Sequence, residues 1–409
     1  MKEIKAVKGV DNTVSGAGPA DWPQWRGPER NGRFTAFKVP AKWPGALKKR
    51  WSLQLGEGHS SPILVGDRAY ALVRSGDQEW MHCLDARNGK TVWVDKIVAP
   101  FDSVIFPAMR LGKAPRSTPI WYGGKLAVIG VNGVMTGYDA ATGKILWRND
   151  YAKRYKIPFP ICGASLSPLI DGRKLYVHVG HEAEGSFLAI DKDSGRDIWA
   201  SRFEGPAYTS PLLVTLGGVR QILTASHNMW VGLDPADGRM LWSMGNRQNM
   251  FNHNSITPAV SGEVVVCGAN QRPTFAMKLV NKGGKLAPEK IWETRDVTMS
   301  TSSPIIDGKR LIAVNEKRRG QIACMDMDSG RVLWECPGNK GENVTLYDIG
   351  GSILAFDAGG SMFVYRKTAA GLEESARYAV ADSSVWASPA ISGNRILVKG
   401  ARELTLWEA

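Results

Sequence analysis

Eight positions of this chain share one slot yet carry unusually varied side chains: His59, Arg116, Ser165, Tyr208, Ser255, Thr301, Asn343 and Trp386. Seven stand three residues before a Pro, and Asn343 stands three before Leu346, which fills the same place. A slot with a purely structural task is filled by small residues, as Ser165, Ser255 and Thr301 are. The other five offer an imidazole, a guanidinium, a phenol, an amide and an indole. Such a set can stack on and hydrogen-bond a small polar or carbohydrate ligand. Close by in sequence are Arg110, Asn252-His253-Asn254 and Glu342, the last a carboxylate able to serve as acid, base or metal ligand. For His59 and His253, ordering of the local backbone competes with chemistry, and His178, His181 and His227 fall within or just after strands, where packing or exposure explains them. No Gly-rich phosphate loop, nucleophile elbow, CxxC or CxxCH is present. The reading of the site is therefore a ligand funnel with no metal and no assigned catalytic residue.

The elements that must position these side chains announce themselves through Trp. Asp, then Gly four residues on, then Trp four further, recurs at Asp85/Gly89/Trp93, Asp139/Gly143/Trp147, Asp191/Gly195/Trp199, Asp234/Gly238/Trp242 and Asp326/Gly330/Trp334. Apolar runs flank each Asp-x-x-x-Gly, which marks a hairpin with the Asp bonding turn N–H groups and the Gly at positive φ. Upstream of each hairpin comes Ser or Thr, Pro, two apolar residues and a Gly-containing turn: Ser61-Pro62, Thr118-Pro119, Ser167-Pro168, Ser210-Pro211, Thr257-Pro258, Ser303-Pro304 and Ser388-Pro389, with Thr345-Leu346 in the remaining place. Four strands at this repeat length make a propeller blade. Two hairpins have decayed: Lys278 replaces the Asp ahead of Gly283-Gly284 and Trp292, and another ends near Gly371 and Tyr378. The expected fold is all-β, an eight-bladed β-propeller of four-stranded antiparallel blades. Its last blade is closed by both termini, Leu47–Leu53 pairing beside Leu404–Trp407 and removing an open edge.

Residues 21–409 are read as this one propeller, and residues 1–20, rich in Gly, Ala, Ser and Lys, as a disordered arm. Three connections are long, Pro100–Pro115, Asn149–Ser165 and Gly245–Ser255, and all lead into inner strands, where rim function concentrates. The chain carries 52 basic and 39 acidic residues, but Lys and Arg fall mostly in hairpin turns rather than among exposed aromatics, which argues against nucleic acid. No apolar run is long enough for a membrane span. Met1–Ala20 lacks the apolar core of a secretory signal, so a periplasmic or secreted location requires a leader outside the numbered chain. Five Cys, at 83, 162, 267, 324 and 336, leave at least one thiol free in a monomer.

The unit Tyr138-Asp139-Ala140-Ala141-Thr142-Gly143-Lys144-Ile145-Leu146-Trp147 resembles the tryptophan-docking repeat of the pyrroloquinoline-quinone-like (PQQ-like) propellers, and Asp21-Trp22-Pro23-Gln24-Trp25-Arg26-Gly27-Pro28 with Asn31-Gly32 resembles the opening of a bacterial branch of that superfamily. The resemblance implies one of two functions. One is quinoprotein dehydrogenation of alcohols or sugars, with PQQ and a calcium or lanthanide ion in the funnel. The other is cofactor-free binding, as in the propeller lipoprotein scaffold of outer-membrane assembly. The adjacent cysteine pair of the quinoprotein alcohol dehydrogenases has no counterpart here, and their metal-binding set finds no match. The reading is a binding or assembly module with no cofactor, taking a small polar ligand in the funnel or a protein at the rim. PQQ-dependent dehydrogenation is the alternative, and carbohydrate chemistry without a quinone is the third.

Overall fold

A computed structural model describes residues 11–101, 112–155, 162–181, 184–246, 253–338 and 340–409. Its strands form eight four-stranded sheets. Seven are sequential meanders, and the eighth orders Lys48–Gln54 beside Glu403–Glu408, then Arg395–Lys399 and Ala390–Ser392. In that seam Ser52 faces Thr405 and Leu53 faces Leu404, so chain start and chain end share one blade. We number the blades by their inner strands: Ile63–Val65, Ile120–Tyr122, Leu169–Asp171, Leu212–Leu216, Ala259–Ser261, Ile305–Asp307, Val344–Asp348 and Ala390–Ser392. Wherever the repeat Pro is present, the inner strand begins directly or one residue after it, because Pro cannot donate to a ladder and is tolerated at a strand start.

Each repeat turn is built as its residues require. In blade 1 the Asp85 carboxylate accepts the Arg87 N–H at 2.9 Å, and Gly89 donates to the Asp85 carbonyl at 2.8 Å with φ of 75°. Gly143, Gly195, Gly238 and Gly330 also lie at positive φ. The turn then receives the preceding blade's Trp. A Cβ on Gly143 would stand 2.6 Å from the Trp93 ring, and one on Gly195 would stand 2.7 Å from Trp147. The indole N–H meanwhile donates to the carbonyl just after the repeat Asp. Trp51 reaches Ala86 at 2.8 Å, Trp93 Ala140 at 3.0 Å, Trp147 Lys192 at 3.0 Å and Trp292 Met327 at 2.8 Å.

The decayed turns show what happens without a receiver. Trp242 faces blade 5, which lacks the Asp–Gly turn, and donates instead to Gln221 Oε1 of its own blade. Trp334 faces the decayed turn of blade 7, and its buried Nε1 has no partner. Trp93, Trp147 and Trp242 are buried, whereas Trp199 and Trp334 are half-buried. All five cysteines are free, four of them buried.

Residues 11–20, expected to belong to a disordered arm, are instead placed: residues 11–38 run across the end of the channel opposite the long loops and bond to every blade, while residues 1–10 lie outside the described residues. Asp11 donates to Leu213 of blade 4, and Gly123 of blade 2 donates to Ser15. Trp22 pairs with Leu64 of blade 1. Trp25 donates to Thr257 of blade 5, Arg26 to Pro304 of blade 6, and Arg30 to Ser167 and Pro168 just ahead of the inner strand of blade 3. Arg33 pairs with Asp348 of blade 7 at 3.6 Å, and Lys38 donates to Gly393 of blade 8. Trp22 is held edge-on between Phe34 and Tyr347, 5.4 and 4.7 Å away, which anchors the segment in the core.

Trp147→Ala is expected to cost about 3–5 kcal/mol in chemical denaturation, as other large core truncations do. Trp334→Ala should cost clearly less, since its N–H has no acceptor to lose. Equal losses at the two sites would contradict the docking account.

Candidate functional site

Within an inner strand alternate residues face one way, so the slot three before the Pro and the Ser or Thr immediately before it both turn into the channel. All eight slot residues line a single cavity of about 440 Å³, together with Ser61, Ser167, Ser210, Ser303, Thr345 and Ser388 from the lower tier. His59 and Trp386 meet edge-on at 6.2 Å across the seam of blades 1 and 8. Tyr208 and His253 meet edge-on at 5.2 Å on blade 4, the opposite side of the ring, and His227 stands 5.8 Å from His253. Two aromatic pairs thus face each other across the mouth.

The lower tier ties the blades together. Ser388 N–H donates to Ser61 Oγ at 2.9 Å, Thr118 to Ser167 Oγ at 3.0 Å, Ser167 to Ser210 Oγ at 3.0 Å and Thr257 to Ser303 Oγ at 2.9 Å. Each of these hydroxyls accepts one backbone N–H and keeps its own hydrogen to give. The wall of the cavity is therefore rich in donors.

The floor is Trp25 and Arg26 of the N-terminal segment. Trp25 Nε1 donates to Thr257 Oγ1 at 2.9 Å. Arg26 Nη2 donates to the carbonyls of Asn31 and Pro304, and burial lowers its pKa to about 10, which leaves it charged at neutral pH. Behind it Arg30 is wholly buried among the carbonyls of Ser167 and Pro168 and the Gln24 side chain, its pKa lowered by burial to about 9.

The remaining candidates separate. Arg116 lines the cavity, but its guanidinium donates to the carbonyls of Gly112, Ala114 and Cys162, so it holds two loops at the rim. Burial lowers its pKa. Tyr208 OH accepts the Cys162 N–H at 3.2 Å, and burial raises the phenol well above its usual range. Asn343 is buried and lines the cavity. Asn254 does not line it, because its side chain donates to Ser226 O and accepts from Asn246, while its carbonyl accepts from Tyr208 and Thr209. That residue fastens its loop to blade 4. Glu342 is exposed and outside the lining, its carbonyl accepting weakly from Thr301. Arg110 and Asn252 lie outside the described residues. Trp25, Arg26, Cys162, Asn270, Gln271 and Ser300 join the lining unannounced by the slot pattern. For Trp25 and Arg26 a signal existed: a cluster of two Trp and an Arg with no blade to serve.

Beneath the rim lies Glu79, fully buried on blade 1 and opposite Arg74 in register. Its Oε1 accepts the Val131 N–H at 2.9 Å, and Val131 O in turn accepts from Ala164, next to the slot residue Ser165. Glu79 Oε2 has no partner and would stand 1.9 Å from any Cβ at position 130, which Gly130 avoids. Burial pushes this carboxyl up to about 7 against the opposing pull of the Val131 N–H, Arg74 and Arg116.

Fold and cavity together define a PQQ-like propeller with a floored, donor-lined funnel. A family model described as outer membrane protein assembly factor BamB matches residues 80–336, and the chain belongs to that family. BamB of Yersinia pestis is 24% identical over 226 residues, covering 53% of this chain and 55% of that protein. A polyvinylalcohol dehydrogenase of a Pseudomonas species is 24% identical over 358 residues, covering 77% of this chain and 51% of that enzyme. The chain thus spans about half the length of these relatives. The solved europium-containing methanol dehydrogenase shares the fold, with a TM-score of 0.70, 12% identity and coverage of 96% of this chain and 98% of that one.

The quinone–metal pair of such dehydrogenases can be tested against this lining. A hard cation needs several oxygen ligands, carboxylates among them. The described lining residues include no Asp or Glu. Among the described residues no three His, Cys, Asp or Glu side chains gather closely enough to hold an ion. The residues present do not fit the ion of that pair.

Glu79 is expected to make stability fall with rising pH. Its folded pKa lies above the unfolded value, so the native state binds more protons between about pH 4.5 and about 7, and stability declines across that window. Glu79→Gln should remove the decline, with thermal melts of variant and wild type diverging up to about pH 7 and running parallel above it. Parallel melts throughout would show that Glu79 is ionised in the fold.

Proposed function

We propose that the protein is a cofactor-free binding propeller that holds a small hydroxylated ligand in its funnel. One observation carries the reading: a floored, open-mouthed cavity of about 440 Å³ joins two aromatic pairs, a ring of hydroxyl donors and an amide, with no carboxylate among its described lining residues. Aromatic faces stack on the apolar faces of a ring while hydroxyls and Asn343 meet its polar edge. Chemistry on an alcohol would need a base to take its proton, and for that role the described lining offers the imidazoles of His59 and His253 but no carboxylate. Membership of a family described by an assembly factor favours a binding role and a location outside the cytoplasm. A partner protein would then dock on the blade rims, independently of the funnel. The dehydrogenase reading draws on the polyvinylalcohol dehydrogenase match and calls on a metal ion for which this lining offers no carboxylate.

The test is titration of the full chain with neutral and acidic mono- and disaccharides, followed by tryptophan fluorescence. Saturable changes are expected, and Trp386→Ala should weaken them about tenfold or more, in line with loss of one stacking contact, while leaving the melting temperature nearly unchanged. No binding by any member of the panel would overturn the reading. So would a bound-cofactor absorbance and dye-linked alcohol oxidation on adding PQQ with calcium.

A further inference from the structure

Arg26 is set in the floor in an unusual way. It is 4% exposed, lines the cavity and makes no ion pair with any described carboxylate. Of its three guanidinium nitrogens only Nη2 is engaged, by the carbonyls of Asn31 and Pro304. Nε and Nη1 have no acceptor from the protein. A buried cation without a counter-charge is costly unless something supplies one. The neighbouring residue in the chain, Trp25, is half-buried in the same floor with its Nε1 bonded to Thr257, which fixes the plane of its ring. Above both, Ser61, Ser167, Ser210 and Ser303 accept backbone N–H groups and retain O–H donors at the cavity wall.

We infer that the funnel selects an anionic ligand, a sugar acid whose ring lies on Trp25 and whose carboxylate accepts from the unengaged N–H groups of Arg26. The inference rests on the reading of the funnel as a ligand site and adds the ligand's charge and class. An N–H of a buried guanidinium given to a carboxylate makes a charge-assisted hydrogen bond and supplies the counter-charge that Arg26 lacks. A ring carrying hydroxyls suits an indole face below and hydroxyl donors around it. Phosphate fits less well. It favours clustered backbone N–H groups at a loop or helix start, and around Arg26 the N–H groups of Gly27, Arg30 and Gly32 are given to Gln24, Gly27 and Arg26 carbonyls of the same segment.

Calorimetric titration of the full chain with D-glucuronate, D-glucose and inorganic phosphate tests this. Glucuronate should bind at least about tenfold more tightly than glucose, the scale of a single charge-assisted hydrogen-bonded contact. Arg26→Gln should abolish the preference. Because that change also loosens the floor, Thr301→Asp provides a second test. Thr301 is exposed on the rim of the lining, and a carboxylate there should weaken glucuronate about tenfold more than it weakens glucose. Equal affinity for glucuronate and glucose would overturn the anionic class and leave the small-ligand reading standing. Phosphate binding more tightly than glucuronate would overturn the carboxylate assignment. No binding of any of the three would overturn the inference, and extension of that result to the whole saccharide panel would overturn the small-ligand reading as well.

Discussion

The ring depends on one contact, the indole of a blade laid flat on the glycine turn of the next with its N–H given to the carbonyl beside it. A propeller closes only if each blade meets its neighbour at the same angle. A flat ring against a backbone without Cβ sets that angle tightly, as the 2.6 Å approach of Trp93 to a Cβ position at Gly143 shows. The hydrogen bond then fixes the rotation of the ring within its plane. Where the receiving turn has decayed, other packing takes its place. At the seam of blades 4 and 5, Leu286 from the lengthened hairpin Thr274–Lys282 and Lys285–Thr294 reaches to within 2.7 Å of a Cβ position on Gly217. It joins Trp242, Leu216 and Leu279 in one core. At blades 6 and 7, Trp334 and Leu372 pack against one core that includes Phe363 and Tyr365, and Lys340 lies 3.9 Å over the Phe363 ring.

Eight blades held at that angle leave a channel too wide for inner-strand side chains to fill, and the segment 11–38 resolves this by crossing it. Its contacts alternate between backbone pairing at the edge, as Trp22 with Leu64, and long side chains reaching inward, as Arg26 and Arg30. Arginine serves this task well because it donates to several carbonyls at once in fixed directions. Carbonyls of Ser167, Pro168 and Pro304 turn toward the channel at the start of inner strands, where no neighbouring strand takes them. The floor therefore satisfies the blades' own unpaired acceptors.

The blades were legible because their signals are local. Asp, Gly and Trp act within one hairpin, so spacing along the chain reports them, and the split blade followed from Leu404–Trp407 lacking a partner. The slot three before the Pro was legible for the related reason that strand side chains alternate, so equivalent positions face the same way in every blade. Loop residues were not. Asn254 and Arg116 stand near the mouth, yet their polar groups are used on carbonyls or side chains of other loops, which no spacing encodes. Glu342 sits beside a lining residue, and alternation turns it outward. The floor is the plainest omission. Trp25 bonds a residue 232 positions away and Arg26 one 278 away, so the motif could be noticed but not placed.

The same geometry explains why one fold can hold either a redox centre or a plain binding site. The ring of slot residues is free to vary, because blade-to-blade stability comes from the Trp turns on the outside and the hydroxyl tier within. Hydroxyls that have accepted a backbone N–H keep a hydrogen to give, and an arginine can only give. A cavity with many such groups is complementary to oxygen-rich ligands. A hard metal ion in such a funnel would call for carboxylates at slots that here hold Ser, Thr, Asn and Trp. With Trp25 and Arg26 supplied by the floor rather than by any blade, recognition at the base of the funnel is tied to closure of the channel itself: the segment that completes the ring also presents its charge.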